Sequence, residues 1–393
     1  MPSTLISRLE VKDLGPISSA NIEFGGLTVL VGPQASGKSI FLQTLKLLVD
    51  TAHIKYEFRR AGVDWKDDLD QFLDVYFGEG MRSLWQPTDP RIVFEKKKIS
   101  LAEHLKGVKP HKGESMFFIP AQRVLAMRDG WPQAFGYYDP GIPFAVREFS
   151  EELRQVMADF GTEGTLFPVP RRLKEEFSEL IQEHIFPDFQ LRVDTDRAQK
   201  RMVLSKGADA ATLPFMVWSA GQREFVPLLL GLYWLLTPAG TPRRKGLKWV
   251  VVEELEMGLH PRAVTVVILM LLELVARGYR VCLSTHSPQV LDAIWAVRHL
   301  RKNGAQPEEL LRVFDAPNTP GMLRLAEGAM KRRARVYYFG RDSGGVRNIS
   351  DLDPESRDEL EAGWGGLSEF SARANEAVAH AAANSSRGNG SDV

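Results

Sequence analysis

Apolar positions along the chain fall into two strand–loop–helix patterns, one at each end of a mixed middle. Near the N-terminus, Leu9–Val11, Asn21–Phe24 and Leu27–Val31 read as short strands separated by turn-forming Gly15-Pro16 and Gly25-Gly26. Leu27–Val31 is nearly all apolar, as expected of a strand covered on both faces. A glycine-bearing turn follows, after which Phe41, Leu45 and Leu48 recur at helical spacing over Ser39–Val49. The second pattern comprises a helix over Gln222–Leu236, an apolar strand at Lys248–Val252, a helix over Pro261–Arg277 and a strand at Arg280–Leu283. The third of these elements opens on proline and stops at Gly278, the favoured asymmetry of helix ends. Between the two patterns, strands are expected at Arg91–Glu95, Met116–Ile119, Phe189–Val193 and Arg201–Leu204. A charged helical stretch from Ala145 to Phe186 is broken over Gly161–Pro170. The fold class expected is α/β, a body over residues 1–379 with a helical insertion at 124–186. His380–Val393, rich in Ala, Asn, Ser and Gly, is expected to be disordered.

Composition narrows the function classes. Apolar residues make up 44% of the 393, enough for a sizeable core, and 50 basic against 50 acidic residues give zero net charge. That balance argues against nucleic-acid binding through bulk positive charge. The single cysteine, Cys282, cannot form an internal disulfide, which suits a reducing compartment. The most apolar runs, Phe225–Leu236 and Ala263–Leu272, fall short of the ~20 residues of a membrane span, and Met1–Glu10 has no signal-peptide pattern. A cytoplasmic protein without membrane contact is expected. No His-x-x-x-His pair and no Gly-x-Ser-x-Gly elbow occurs, which disfavours zinc-hydrolase and serine-hydrolase chemistry.

The turn after the first buried strand carries the chemistry. Gly32-Pro33-Gln34-Ala35-Ser36-Gly37-Lys38-Ser39 is a complete phosphate-loop pattern between an expected strand and an expected helix. Its glycines let backbone N–H groups face a triphosphate, and the helix start adds a favourable dipole. Lys38 would reach the β- and γ-phosphates of ATP, and the Ser39 hydroxyl would bind Mg²⁺. The strand Lys248–Val252 ends on Glu253 and Glu254, a carboxylate pair of the kind that serves Mg²⁺ and the attacking water in phosphate-loop proteins. Side chains alternate along a strand, so the two point the same way only if the strand ends between them. Ser219-Ala220-Gly221-Gln222, at a helix start, makes an anion-binding end. Thr285-His286-Ser287-Pro288 follows the next strand.

In this order, phosphate loop, SAGQ segment, acidic strand with Leu259-His260-Pro261, and THSP turn, the chain resembles the ABC-type ATPase heads. The branch it is most similar to is that of the structural-maintenance-of-chromosomes and overcoming-lysogenisation-defect ATPases. Leu14-Gly15-Pro16-Ile17 and Phe118-Ile119-Pro120-Ala121-Gln122-Arg123 also resemble the stand-alone ATPases of bacterial anti-phage defence, such as the ATPase component of the PARIS system. The resemblance implies an ABC-type P-loop NTPase head with an N-terminal antiparallel β-layer and a short helical insertion. It implies that Ser219, Gly221 and Gln222 touch ATP held by a second protomer. By the same resemblance Glu254 is the catalytic glutamate, Glu253 the magnesium-side acid and His286 the γ-phosphate sensor. Leu259-His260-Pro261 would link the two sites of a dimer or higher oligomer.

Several positions depart from the family pattern. Glu253 stands where the family usually has Asp, Leu255 where proline is common, and Pro227 should kink the signature helix or delay its start. Gln71 and Gln122 are both candidates for the family's glutamine loop. The insertion has room for two helices of ~20 residues, a lobe projecting about 30 Å. The basic clusters Arg243-Arg244-Lys245 with Lys248, and Lys331-Arg332-Arg333 with Arg335, read as solvated faces or as contacts to DNA or an acidic partner. Trp364 reads as a core residue at a helix turn or a docking residue. The expected function is an ATP-driven switch controlling a separate effector, such as a nuclease toxin, in defence. The alternatives are a repair or recombination ATPase acting on DNA and, further off, a transporter's nucleotide-binding subunit.

Overall fold

The computed structural model describes residues 7–66, 68–85, 90–159, 164–196, 199–207, 211–236, 245–341 and 345–388. In chain order the N-terminal part comprises β1 (Arg8–Leu14), β2 (Ile17–Glu23), β3 (Leu27–Val31), α1 (Lys38–Arg60), α2 (Leu69–Phe77), β4 (Arg91–Phe94), β5 (Lys97–Ile99), α3 (Leu101–Gly107) and β6 (Met116–Ile119). The middle follows with β7 (Met127–Arg128), β8 (Trp131–Pro132), α4 (Phe144–Asp159), β9 (Gly164–Phe167), α5 (Glu175–His184), β10 (Gln190–Asp196), β11 (Gln199–Ser205) and β12 (Thr212–Pro214). The C-terminal part has α6 (Ala220–Leu236), β13 (Trp249–Val252), α7 (Pro261–Ala276), β14 (Arg280–Thr285), α8 (Pro288–Lys302), α9 (Pro307–Val313), α10 (Pro320–Met330), β15 (Ala334–Phe339), β16 (Val346–Asn348), α11 (Glu359–Ala362) and α12 (Glu369–Gly388).

A six-stranded sheet in the order β16-β15-β3-β14-β13-β6 forms the centre, parallel except for β16. Alternation along each strand splits its side chains between two cores. Phe117, Ile119, Val250 and Val252 enter the core filled by α6, α7, α8 and α10. Met116, Phe118, Trp249 and Val251 enter the other, filled by α1, α2 and the N-terminal strands. Both faces are covered, which is why these strands read as continuous apolar runs. The antiparallel sheet β2-β1-β4-β5 is the expected N-terminal layer. The fold is α/β of the phosphate-loop type, with all five parallel strands delivering their C-terminal ends to one edge.

The insertion differs from the projecting lobe expected of it. Its helices are 16 and 10 residues long, and they lie against the body rather than standing out from it. Phe149, Leu153 and Met157 of α4, with Phe177 and Ile181 of α5, belong to the main core. β9 pairs with β10 in a second antiparallel sheet, order β12-β11-β10-β9. Of the segment expected to be disordered, residues 380–388 continue α12, and 389–393 lie outside the described residues. Alanine has the highest helix propensity, and this segment is rich in it. Trp364 packs on the core with its ring 6.5 Å from that of Trp295, so it is no exposed anchor. Of the basic clusters, Lys331 pairs with Glu327 and Arg335 with Glu23, as a solvated face does. Arg243 and Arg244 lie outside the described residues.

A buried charged knot fixes the middle of α1. Lys46 is fully buried, and its ammonium donates to the Met116 carbonyl at 2.6 Å and meets Glu114, Glu148 and Asp50 at 2.8, 3.0 and 3.1 Å. Asp50 leaves helical geometry (φ −118°, ψ 24°), and its carboxylate accepts from the backbone N–H groups of Ser115 and Met116, each at 2.9 Å. The Lys46 ammonium is shared by three carboxylates, and His53 meets Glu148 at 3.1 Å, partners of the kind a buried charge requires. The knot pins the start of β6 to the helix that begins at the phosphate loop.

Candidate nucleotide site

The loop 32–39 connects β3 to α1, with Gly37 as the helix N-cap in a left-handed conformation (φ 94°). Ala35 is also left-handed (φ 58°), bending the crown of the loop outward. Lys38 is 6% exposed, and its ammonium folds back to donate to the carbonyls of Gly32 and Pro33, both at 2.8 Å. Burial pulls its pKa down to about 8, with the carboxylates of Glu254 and Glu256 opposing the fall. At neutral pH it keeps its charge at the mouth of the loop.

β13 stops at Val252, and Glu254 sits in the left-handed region (φ 43°). The strand therefore ends where the two acids begin, and they lead different lives. Glu253 is 3% exposed; it lies beside the Ser39 hydroxyl and accepts from the Ala121 N–H at 3.2 Å. Burial pushes its pKa up to about 6, while the neighbouring Ser39 hydroxyl and the Ala121 N–H hold it back. Its Oε1 is buried with no hydrogen-bond partner among the described residues. Glu254 is more open, and its N–H donates to the Ser284 carbonyl at 3.0 Å. Nε2 of His286 lies 3.7 Å from its Oε1, too long for a hydrogen bond and room for a bridging group. Burial and the nearby Lys38 charge hold the His286 pKa below its ordinary value, so the imidazole is neutral at pH 7.

Two residues that carry this arrangement were less visible in the sequence. Arg123, fully buried, donates to the carbonyls of Glu253 (3.0 Å), Glu254 (3.1 Å) and Glu224 (3.1 Å). It clamps the end of β13 to α6. Glu256 accepts from the Thr285 hydroxyl at 3.0 Å and from the His286 N–H, tying the acidic turn to the THSP turn. Of the two glutamine candidates, Gln122 adjoins Ala121 and so flanks Glu253, whereas Gln71 lies on α2 beside its cap Asp68.

The SAGQ segment opens α6. Ser219 Oγ accepts from the Gln222 N–H at 3.2 Å, and Gln222 Oε1 accepts from the Ser219 N–H at 3.1 Å, a reciprocal cap. The helix starts at Ala220 and runs through Pro227, so the expected delay of its start does not occur. Gly221 is required by a close approach, because a Cβ there would stand 2.7 Å from the Gly258 carbonyl. His260 caps α7 by accepting from the Arg262 N–H at 3.3 Å, with Pro261 in the first turn. Among the described residues, no hydrogen bond joins Ser219–Gln222 to the phosphate loop of the same chain.

The structure thus brings Lys38, Ser39, Glu253, Glu254 and His286 to one edge of the sheet and leaves Ser219 and Gly221 on a separate, exposed helix start. The fold is of the P-loop NTPase type. Residues 149–292 match the family described as "AAA domain, putative AbiEii toxin, Type IV TA system", a span holding the SAGQ segment, the acidic strand end and the THSP turn. Comparison with curated proteins yields no match. Among solved structures, the chain is similar to an SMC head bound to the C-winged helix domain of ScpA, at 13% identity and TM-score 0.41, covering 74% of this chain and 91% of that one. It is similar to the SMC head domain from Thermotoga maritima at 13% identity and TM-score 0.33, covering 74% and 92%. A bacterial ABC transporter cassette in a dimeric structure is similar at 11% identity and TM-score 0.34, covering 86% and 98%. At those values the fold assignment rests on strand order and loop geometry.

In this chain, His286 is held by its backbone, through Glu256, while its ring points to Glu254 rather than into the core. His286→Ala should therefore leave the melting temperature nearly unchanged while sharply reducing ATP hydrolysis. A large fall in melting temperature with proportionate loss of activity would instead make the ring a packing element.

Proposed function

We propose that the protein is an ATP-binding and ATP-hydrolysing switch whose heads close on ATP to control a separate effector protein in bacterial anti-phage defence. The observation that carries the ATPase reading is the contact between the phosphate-loop serine and a buried acid, Ser39 with Glu253, beside an open carboxylate at Glu254. Ser39 and Glu253 suit a hard cation, since the unpartnered Oε1 of Glu253 offers an oxygen ligand with no competing donor. Mg²⁺ held there would offset charge on the β- and γ-phosphates. Lys38 would face the same phosphates, Glu254 would accept the proton of the attacking water, and neutral His286 would donate a hydrogen bond to the γ-phosphate.

Closure of two heads is supported by exposed apolar side chains near the site residues in sequence. Leu125, Met216 and Val217 are large apolar side chains, 56%, 65% and 63% exposed, close in sequence to Gln122 and Ser219. Burial of such residues favours association. The control of an effector rests on the sequence resemblance and on the toxin–antitoxin description of the matching family.

The direct test is equilibrium binding of ATP to Lys38→Ala. Removing the ammonium takes away the point charge facing the phosphates. Binding should be lost with an unchanged melting temperature of the free protein. Unchanged ATP affinity in a folded variant would remove the phosphate-loop assignment.

A further inference from the structure

β15 runs parallel to β3, with Tyr338 opposite Val31, so the chain beyond β15 rises beside the phosphate loop. The two are in close contact: a Cβ at Gly32 would stand 2.2 Å from the Phe339 carbonyl. Two residues further on, Arg341 turns over the crown of the loop. Its Nε and Nη2 both donate to the carbonyl of Gln34, at 3.0 and 2.8 Å. Its Nη1 makes no hydrogen bond among the described residues, and the side chain is exposed.

The position within the loop matters. The Lys38 ammonium, which in a phosphate loop serves the β- and γ-phosphates, is bonded to the Gly32 and Pro33 carbonyls. The limb 32–34 is therefore the γ-phosphate side, and Arg341 is fixed to that limb. Lys38 and Arg341 are thus anchored to neighbouring carbonyls of one limb, Lys38 on Gly32 and Pro33 and Arg341 on Gln34. Two cations held together without an anion repel each other, and a phosphoryl group between them would relieve that repulsion.

We propose that Arg341 is a further nucleotide-site residue, a guanidinium on the γ-phosphate side of the loop that makes the site favour the triphosphate over the diphosphate. The inference rests on the phosphate-loop reading above. A guanidinium suits the task because it can hold the Gln34 carbonyl with one edge and present its other N–H groups to phosphate oxygens. No local pattern in the sequence announces this residue, which lies 302 positions beyond Ser39.

The test compares the dissociation constants of Mg²⁺–β,γ-imido-ATP and Mg²⁺–ADP for the full chain and its variants. Arg341→Ala should weaken the imido-triphosphate about tenfold, the scale of one charged hydrogen bond, and ADP by less than about threefold. Arg341→Lys should lie between, keeping charge but losing the two-pronged hold. Equal weakening of both nucleotides would overturn the inference, because Arg341 would then only brace the loop; so would no change in either. Arg341→Gln retains a donor to the Gln34 carbonyl without charge, and serves if the alanine variant melts early. Lys38→Ala should weaken both nucleotides. If it weakens neither, the phosphate-loop reading falls and this inference with it.

Discussion

Glu254→Gln should slow ATP turnover by about 10²–10⁴-fold while leaving ATP bound, the scale set by loss of a positioned general base. The glutamine has the shape of the glutamate but cannot take a proton at neutral pH. The backbone at this position should survive the change. Its left-handed φ of 43° is held by the N–H bond to Ser284 and by Arg123 on the carbonyl, and neither uses the carboxylate. The environment separates the two acids. Glu254 is about a third exposed and faces His286, where a water could reach it, whereas Glu253 is sealed against Ser39 and Ala121. Glu253→Gln should act mainly through weaker Mg²⁺ and nucleotide binding. Single-turnover hydrolysis with bound ATP, measured for both variants, checks this. If Glu253→Gln abolishes hydrolysis and Glu254→Gln barely changes it, the two roles are reversed.

Much of this site is legible in the sequence for a physical reason. Parallel strands covered on both faces must be apolar throughout, and their polar residues collect at the strand ends, so Val250–Val252 followed by two acids marks both a strand and its active edge. Other features leave no such trace. Glu256 in the run Glu253-Glu254-Leu255-Glu256 looks like a solvated acid until the THSP turn folds against it. Arg341 is joined to Gln34 only by the pairing of β15 with β3. The insertion departs from the expected projecting lobe for a different reason. Phe149, Leu153 and Met157 repeat every four residues, an apolar stripe that asks for cover. A projecting arm built on one helix pair could hide it only within the arm; the body hides it more fully. The compositional bias of the C-terminal segment points two ways, toward low complexity and toward alanine's helix propensity, and the structure follows the second.

The cap at Ser219 leads to the remaining large effect. Ser219 and Gln222 satisfy each other at an exposed helix start, with no bond to their own phosphate loop among the described residues. An anion-binding helix end left facing outward is suited to the nucleotide of a second copy. A two-fold pair would then hold two composite sites, each with Lys38 from one protomer and Ser219 from the other. Ser219→Arg should fold, since loss of the cap costs only about 1 kcal/mol and the position is exposed. Its bulk and charge should obstruct closure, so it and Lys38→Ala should each be inactive alone. In a mixed dimer the intact Lys38 of the Ser219→Arg chain meets the intact Ser219 of the Lys38→Ala chain. One site is rebuilt while the other carries both defects. With equal amounts and free exchange, half the dimers are mixed and each has one working site, so about a quarter of the wild-type ATPase rate should return. A mixture that exchanges subunits yet stays inactive means either that each site lies within one chain or that both sites must fire together. Mixing wild type with Lys38→Ala separates these: activity in proportion to intact Lys38 indicates sites within one chain, and a steeper loss indicates two sites that depend on each other.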